Sequence, residues 1–152
     1  MKAAAASLAV ILLCSCAHRP LIGTWRLVEY WNQPRGQPRQ YPYGEQPVGY
    51  FVYDETGHVL IQVARKPELP RLTSTGYREA SCKELVTMMD AFISYFGTYT
   101  IDAAKGIVIH HVEADSRREY FGTDQERPFQ LAGDELRIGD GKTWLRRLTR
   151  VK

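Results

Sequence analysis

The chain has 152 residues, of which 20 are Lys or Arg and 17 are Asp or Glu, and its formal net charge is +3. This length suits a single folded domain, since a chain of this size buries roughly two-thirds of its surface on folding. So mild a positive charge argues against nucleic acid as a partner.

Residues 1–16 resemble a bacterial lipoprotein signal. After Met1-Lys2 comes an apolar run at 3–13 that is too short to span a bilayer, and LCSC at 13–16 resembles a lipobox. The resemblance implies cleavage after Ser15 and lipidation of Cys16, with acyl chains such as palmitate anchoring the protein in a membrane. A plain secretory signal cut near Ser15 is the alternative.

Residue 17 is Ala rather than the Asp that resembles an inner-membrane retention signal. The predicted location is therefore the outer membrane, facing the periplasm. With Cys14 removed and Cys16 lipidated, Cys82 stays alone and no intramolecular disulfide is possible. The predicted domain organisation is a signal peptide at 1–15, a lipidated cysteine with a short tether at 16–21, and a folded domain at 22–152.

The first half of the folded domain has the pattern of β-strands. Ile22 to Trp31 alternates as a first strand, and Val48–Asp54 with His58–Arg65 predicts a hairpin. Between them, residues 32–47 carry prolines at a density that excludes a regular helix or central strand. A loop this long is often functional, although a packed lid without chemistry is equally consistent with it.

A change of period follows, from strand to helix. Apolar residues recur at helical spacing, which predicts one amphipathic helix over about 78–95, ending before Gly97. Such a stripe is typical of core, and the helix could also close one end of a barrel. The stripe consists of Cys82, Leu85, Met89, Phe92 and Phe96.

The stretch 97–113, GTYTIDAAKGIVIHHVE, predicts a β-hairpin with strands Thr98–Ile101 and Ile107–Glu113. Successive strand side chains point to opposite faces, so His110 and His111 face opposite ways. One histidine is expected to point into an apolar interior, and the sequence does not say which.

Three more strands are predicted at Arg127–Leu131, Leu136–Ile138 and Trp144–Thr149, joined by short turns. The fold class is therefore all-β: about eight antiparallel strands in a closed up-and-down barrel, with one helix between the third and fourth strands. Basic residues gather at the C-terminus, and we interpret them as a solvated strand edge and tail, with contact to anionic lipid headgroups as the alternative. They are Arg146, Arg147, Arg150 and Lys152.

Four segments together resemble the bacterial and fungal lipocalin-like domain family. The resemblance implies a small calycin-type β-barrel, and isomerase-like roles have been proposed for a few relatives in secondary metabolism. The chain departs from the family pattern around Ser116–Tyr120 and at Pro128. The segments are GTWRLVEYW at 23–31, YPYGEQPVGYFVYDETGHVLIQVAR at 41–65, YFGTYTIDAAKGIVIHHVEAD at 95–115 and GTDQERPFQLAGDELRI at 122–138.

Polar and aromatic side chains on the strands are the candidates for a ligand-binding site. A barrel of eight strands is just wide enough to be filled by side chains or to hold one small ligand. Buried polar groups need partners, so these residues either satisfy one another or bind a ligand. The predicted ligand-binding residues are Tyr50, Gln62, Tyr99, His110, His111, Glu113 and Arg127.

The predicted function is an envelope lipoprotein that binds a small, largely apolar molecule. One alternative is an isomerase or cyclase that uses a cavity histidine held by Glu113 or Tyr99 as its acid or base. The other is a structural lipoprotein with a solid barrel. No nucleophile motif or phosphate loop is present and no cofactor is predicted; a metal shared by His111, Glu113 and His58 is the weakest hypothesis.

Overall fold

The fold is an eight-stranded antiparallel β-barrel, taken from a computed structural model that describes residues 20–69 and 76–152. The predicted signal peptide and the predicted lipidation site Cys16 lie outside the described residues. The predicted fold class is confirmed. The strands are β1 Gly23–Asn32, β2 Val48–Tyr53, β3 His58–Ala64, β4 Phe92–Asp102, β5 Ile107–Asp115, β6 Asp124–Ala132, β7 Glu135–Ile138 and β8 Trp144–Arg150.

Each strand pairs with the next one along the chain, and the first pairs with the last. The β1–β8 ladder runs from Trp25 opposite Arg150 to Asn32 opposite Trp144, with an irregularity between Leu27 and Glu29. This ladder closes the sheet, so each of the eight described strands has a partner on both sides. Side chains alternate between an apolar interior and the outer surface, as the strand patterns predict.

The helix is shorter and more exposed than the sequence predicts. It is α1, Cys82–Asp90, which begins with a capping box between Ser81 and Glu84, and a single 3₁₀ turn at Tyr77–Glu79 precedes it. The predicted extension to residue 95 is wrong, because β4 begins at Phe92. No residue of α1 is buried, so its apolar stripe is not core. Within the described ranges, no helix is long and apolar enough to cross a membrane.

One end of the barrel is closed by Trp25 and Arg150. Trp25 is fully buried, and its indole N–H donates to the carbonyl of Leu21 at 2.7 Å. The Arg150 guanidinium lies 4.0 Å from the Trp25 ring centre and donates to the carbonyls of Ile22 at 2.6 Å and Pro20 at 3.2 Å. The interpretation of Arg150 as part of a solvated tail is therefore wrong.

The proline-rich loop forms a lid on the barrel, and we use the name lid for residues 33–47. Its Tyr43 is buried, and the backbone N–H of Lys66 donates to the Tyr43 carbonyl at 3.0 Å. A bridge between Asn32 and Gln40 fixes the start of the loop to the end of β1. The lid thus places an aromatic side chain over the interior.

Candidate functional site

A cavity of about 380 Å³ lies inside the barrel, next to the lid. Aliphatic side chains of the strands form part of its wall, aromatic rings form another part, and the rest is polar or charged. The aliphatic part consists of Ile61, Val63, Ile93 and Ile138. The aromatic part consists of Tyr30, Tyr43, Phe51, Tyr95, Tyr120 and Trp144, and the polar part includes Asn32, His110, Arg117, Glu119, Arg127 and Arg146.

His110 is held between two tyrosines, of which Tyr95 also lines the cavity and Tyr53 does not. The Tyr53 hydroxyl lies 2.9 Å from Nε2 of His110, and the Tyr95 hydroxyl lies 2.9 Å from Nδ1. A neutral imidazole has one N–H and one lone pair, so one tyrosine accepts a hydrogen bond and the other donates one. All three side chains are buried, and their polar atoms satisfy one another.

Burial keeps this cluster neutral. Burial, together with the smaller effect of the Arg127 charge, lowers the pKa of His110 from 6.5 to about 3. Burial also raises the pKa of the Tyr53 and Tyr95 hydroxyls above their usual value. At neutral pH the wall therefore presents an uncharged imidazole and the phenol of Tyr95 to the cavity, and the neutral Tyr53 lies behind them.

Arg127 extends from β6 into the cavity. Its guanidinium lies 5.5 Å from the centre of the Tyr120 ring and 5.4 Å from that of Trp144. One of its nitrogens donates to Oε1 of Gln125 at 3.1 Å. Its charge is close enough to Tyr95 to offset part of the effect of burial on the pKa of that hydroxyl.

Two of the seven predicted site residues line the cavity, namely His110 and Arg127. Tyr99 is buried inside the barrel but outside the cavity lining, where its hydroxyl donates to the carbonyl of Asp54 at 3.1 Å. The other four lie on the outer face of the wall, on the opposite side from the cavity. They are Tyr50, Gln62, His111 and Glu113.

On the outer face, His111 lies between two polar partners. Its Nδ1 is 2.6 Å from Oδ1 of Asp124, and its Nε2 is 3.0 Å from the hydroxyl of Thr100. Thr98 separates it from His58 in the sheet, because Thr98 pairs with both. Among the residues that the structure describes, no three His, Cys, Asp or Glu side chains converge on a possible metal site.

Several residues of the site are not among the sequence candidates: Tyr53 contacts His110, and Tyr95, Arg117 and Arg146 line the cavity. Tyr53 and Tyr95 share the inner face with Phe51 and Ile93, so strand alternation could have found both. Arg146 was interpreted as part of the solvated C-terminal cluster, which is wrong. No local pattern singles out Arg117, because it follows β5 in a segment without regular structure.

The comparison with known families agrees with the closed barrel. Residues 22–147 match the lipocalin-like domain family, and this range covers every strand except the end of β8. No curated protein shows significant similarity to the chain. Since the match extends over most of the chain, the protein belongs to the lipocalin-like domain family.

Proposed function

We propose that this protein is an envelope lipoprotein whose barrel binds a small, largely apolar molecule in its lumen. The observation that carries the proposal is the cavity of about 380 Å³ between the lid and the strands. Its volume falls within the range of small-molecule sites, which are mostly apolar with a few placed polar groups. A structural lipoprotein with a solid barrel, the other alternative, would have its interior filled by side chains.

Aliphatic residues from neighbouring strands supply the apolar surface for such a ligand. Ile61 and Val63 on β3 and Ile93 on β4 all line the cavity, and each is nearly inaccessible to bulk solvent. An apolar ligand would fill the space beside these side chains and gain dispersion contacts with them. The neutral His110 cluster adds hydrogen-bonding groups without adding charge.

A thermal-shift screen with a broad panel of hydrophobic metabolites tests the proposal. We expect stabilisation by some members, because a ligand that binds only the folded state raises the midpoint of unfolding. Ile61→Phe places a larger side chain in the cavity and should abolish the shift. Leu60→Phe is the matched control, since Leu60 is the next residue on β3 and is 46% exposed on the outer face. A flat response of the unaltered protein across the panel contradicts the proposal.

The membrane anchor is proposed from the lipobox-like sequence alone. Cys16 would carry the lipid, and the protein would sit on the periplasmic face of the outer membrane. Cells fed an alkyne-labelled palmitate should incorporate the label into the protein and lose it in Cys16→Ser. Label that persists in Cys16→Ser, or that never appears, contradicts the anchor without bearing on ligand binding.

An acid–base enzyme of the isomerase or cyclase type is the second candidate. The observation that favours it is the Tyr95 hydroxyl, which lies in the cavity wall against His110 and near the Arg127 charge. Tyr95 would then exchange the proton with the ligand, while His110 would position it. Any ligand from the screen can be followed for conversion by mass spectrometry or NMR. Conversion that Tyr95→Phe removes while binding persists supports this candidate.

A further inference from the structure

Three arginines from different parts of the chain line the same cavity. Arg117 follows β5, Arg127 belongs to β6 and Arg146 belongs to β8. Among the described residues, the lining contains one acidic side chain, Glu119, and it is exposed to solvent. The lining therefore carries an excess of positive charge.

Among the described residues, the three guanidiniums have no carboxylate partner. Over residues 20–69 and 76–152, no Asp or Glu oxygen lies within 4.0 Å of Arg117, Arg127 or Arg146. By contrast, Arg137 and Arg147 on the outside each pair with a glutamate, at 2.7 and 3.2 Å. These two outer arginines therefore have a counter-charge, whereas the three arginines of the lining have none among the described residues.

Neutral groups hold the inner arginines in position. Arg146 lies 3.3 Å from the centre of the Tyr30 ring and donates to the carbonyl of Trp31 at 2.7 Å and to Oδ1 of Asn32 at 2.8 Å. Arg127 and Arg146 also share the ring of Trp144, at 5.4 and 5.1 Å. These contacts fix the direction of the guanidiniums but leave their charge unbalanced.

Arg117 keeps an unused donor in this setting. One nitrogen donates to the Tyr43 hydroxyl at 2.9 Å and to the carbonyls of Asp90 at 3.2 Å and Phe92 at 3.3 Å. Its Nε is buried, and among the described residues it has no hydrogen-bond partner. An unpaired buried donor is costly, and a donor on a cation is best satisfied by an anionic oxygen.

We propose that the ligand of the lumen is an amphipathic organic anion. Its acidic group, a carboxylate or sulfonate, contacts Arg117, Arg127 and Arg146, and its apolar body packs on Ile61 and Val63. The inference rests on the proposed ligand-binding function and narrows the class of ligand. Planar guanidiniums suit such groups, because they donate two parallel hydrogen bonds to an oxyanion.

Two fluorescent probes that differ in one charged group test the inference. Anilinonaphthalene sulfonate carries the aromatic body and a sulfonate, and phenylnaphthylamine carries the same body without it. We expect the sulfonate to bind at least about tenfold more tightly, as hydrogen bonds to charged groups allow. Ile61→Phe should weaken the binding of both probes, and this result would show that they bind in the lumen.

Arginine variants then assign the preference to the cavity. Arg127→Gln should remove most of the difference in affinity between the two probes, and Arg127→Lys should retain part of it. If Arg127→Gln does not fold, Arg117→Gln takes its place. Arg137→Gln removes an equal charge from the outer face and should retain the full difference. Thermal unfolding confirms that each variant is folded.

The outcomes separate the two proposals. Equal affinities of the two probes overturn the anion inference and leave ligand binding intact. A sulfonate preference that survives in Arg127→Gln and Arg117→Gln as fully as in Arg137→Gln also overturns it. If neither probe binds and no metabolite of the screen raises the midpoint of unfolding, the proposed function itself is overturned.

Discussion

The hydroxyl of Tyr53 lies 2.9 Å from Nε2 of His110, and both side chains are buried. Tyr53 belongs to β2 and His110 to β5, and these strands are not neighbours in the barrel. The hydrogen bond therefore crosses the lumen and joins two parts of the wall that no backbone ladder connects. Tyr95 on β4 completes the link through Nδ1 of the same imidazole.

His110→Ala is expected to lower the free energy of unfolding by about 2–4 kcal/mol, because it leaves two buried hydroxyls unpaired and opens a void. Urea denaturation measures the change. His111→Ala is the matched control on the outer face, where loss of exposed polar contacts should cost about 1 kcal/mol or less. Equal effects of the two variants would contradict the buried role of His110.

Acid should destabilise the protein through His110. The pKa of this histidine is about 3 in the folded chain against an ordinary value of 6.5. Between these values the unfolded chain binds a proton that the folded chain does not. The contribution of His110 to the free energy of unfolding is therefore complete at a pH above its ordinary pKa. It decreases as the pH falls below that value, by up to about 1.4 kcal/mol per pH unit.

Urea denaturation between about pH 4.5 and 6.5, carried out on the unaltered protein and on His110→Gln, measures this effect. Hydrogen bonds lower the pKa of Asp54, Asp102 and Asp134 below their usual 3.8, so these carboxylates become protonated at a pH below this window. His110→Gln should be less stable overall but should lose the slope in this window. An unchanged slope in that variant would show that other groups titrate there.

Strand patterns predicted most of the fold because the barrel wall is amphipathic and β-strands alternate with period two. The prediction failed at 92–96, where Phe92 and Phe96 continue the helical spacing of α1. The same residues also alternate with Ile93 and Tyr95, and in the structure Ile93 and Tyr95 face inward. Pairing with β3 and β5 decides between the two periods, and that pairing is not visible in a local pattern.

The candidate site was less predictable than the fold. Alternation placed His110 and His111 on opposite faces, but only barrel closure determines which face is inside. Tyr53 reaches His110 from a distant strand, so their contact depends on the register of the whole sheet. Arg146 looks like a surface charge in the sequence, and it points inward because aromatic rings and backbone carbonyls receive it there.

Arg150→Ala should lower the free energy of unfolding by about 1–3 kcal/mol, since it removes a stacked cation and donors to two backbone carbonyls at the closed end. Arg150→Lys should recover only part of this loss in stability, because an ammonium lacks the planar arrangement of N–H donors of a guanidinium. Lys152→Ala removes a neighbouring charge that pairs with Asp134 at the surface and serves as the control. If Arg150→Ala were as stable as the control, Trp25 alone would suffice to close this end.

Gly97→Ala tests the pairing that positions His110. A methyl group at Gly97 would lie 2.0 Å from the carbonyl oxygen of His111 and 3.0 Å from the backbone nitrogen of Glu113. Backbone atoms cannot rotate away, so β5 must shift, and we expect a loss of about 1–3 kcal/mol or more. Gly76→Ala is the control, because no atom of the described residues lies within 4 Å of the added carbon.

The same variant also reports on the cluster inside the barrel. Gly97 lies at the irregularity where β4 and β5 change register, two residues from Tyr95 and opposite Val112. A shift of β5 that admits water to His110 would weaken the desolvation that lowers its pKa, so the pH dependence of stability between about 4.5 and 6.5 should flatten as well. A Gly97→Ala protein that keeps both the stability and the acid sensitivity of Gly76→Ala would mean that β4 and β5 do not approach this closely.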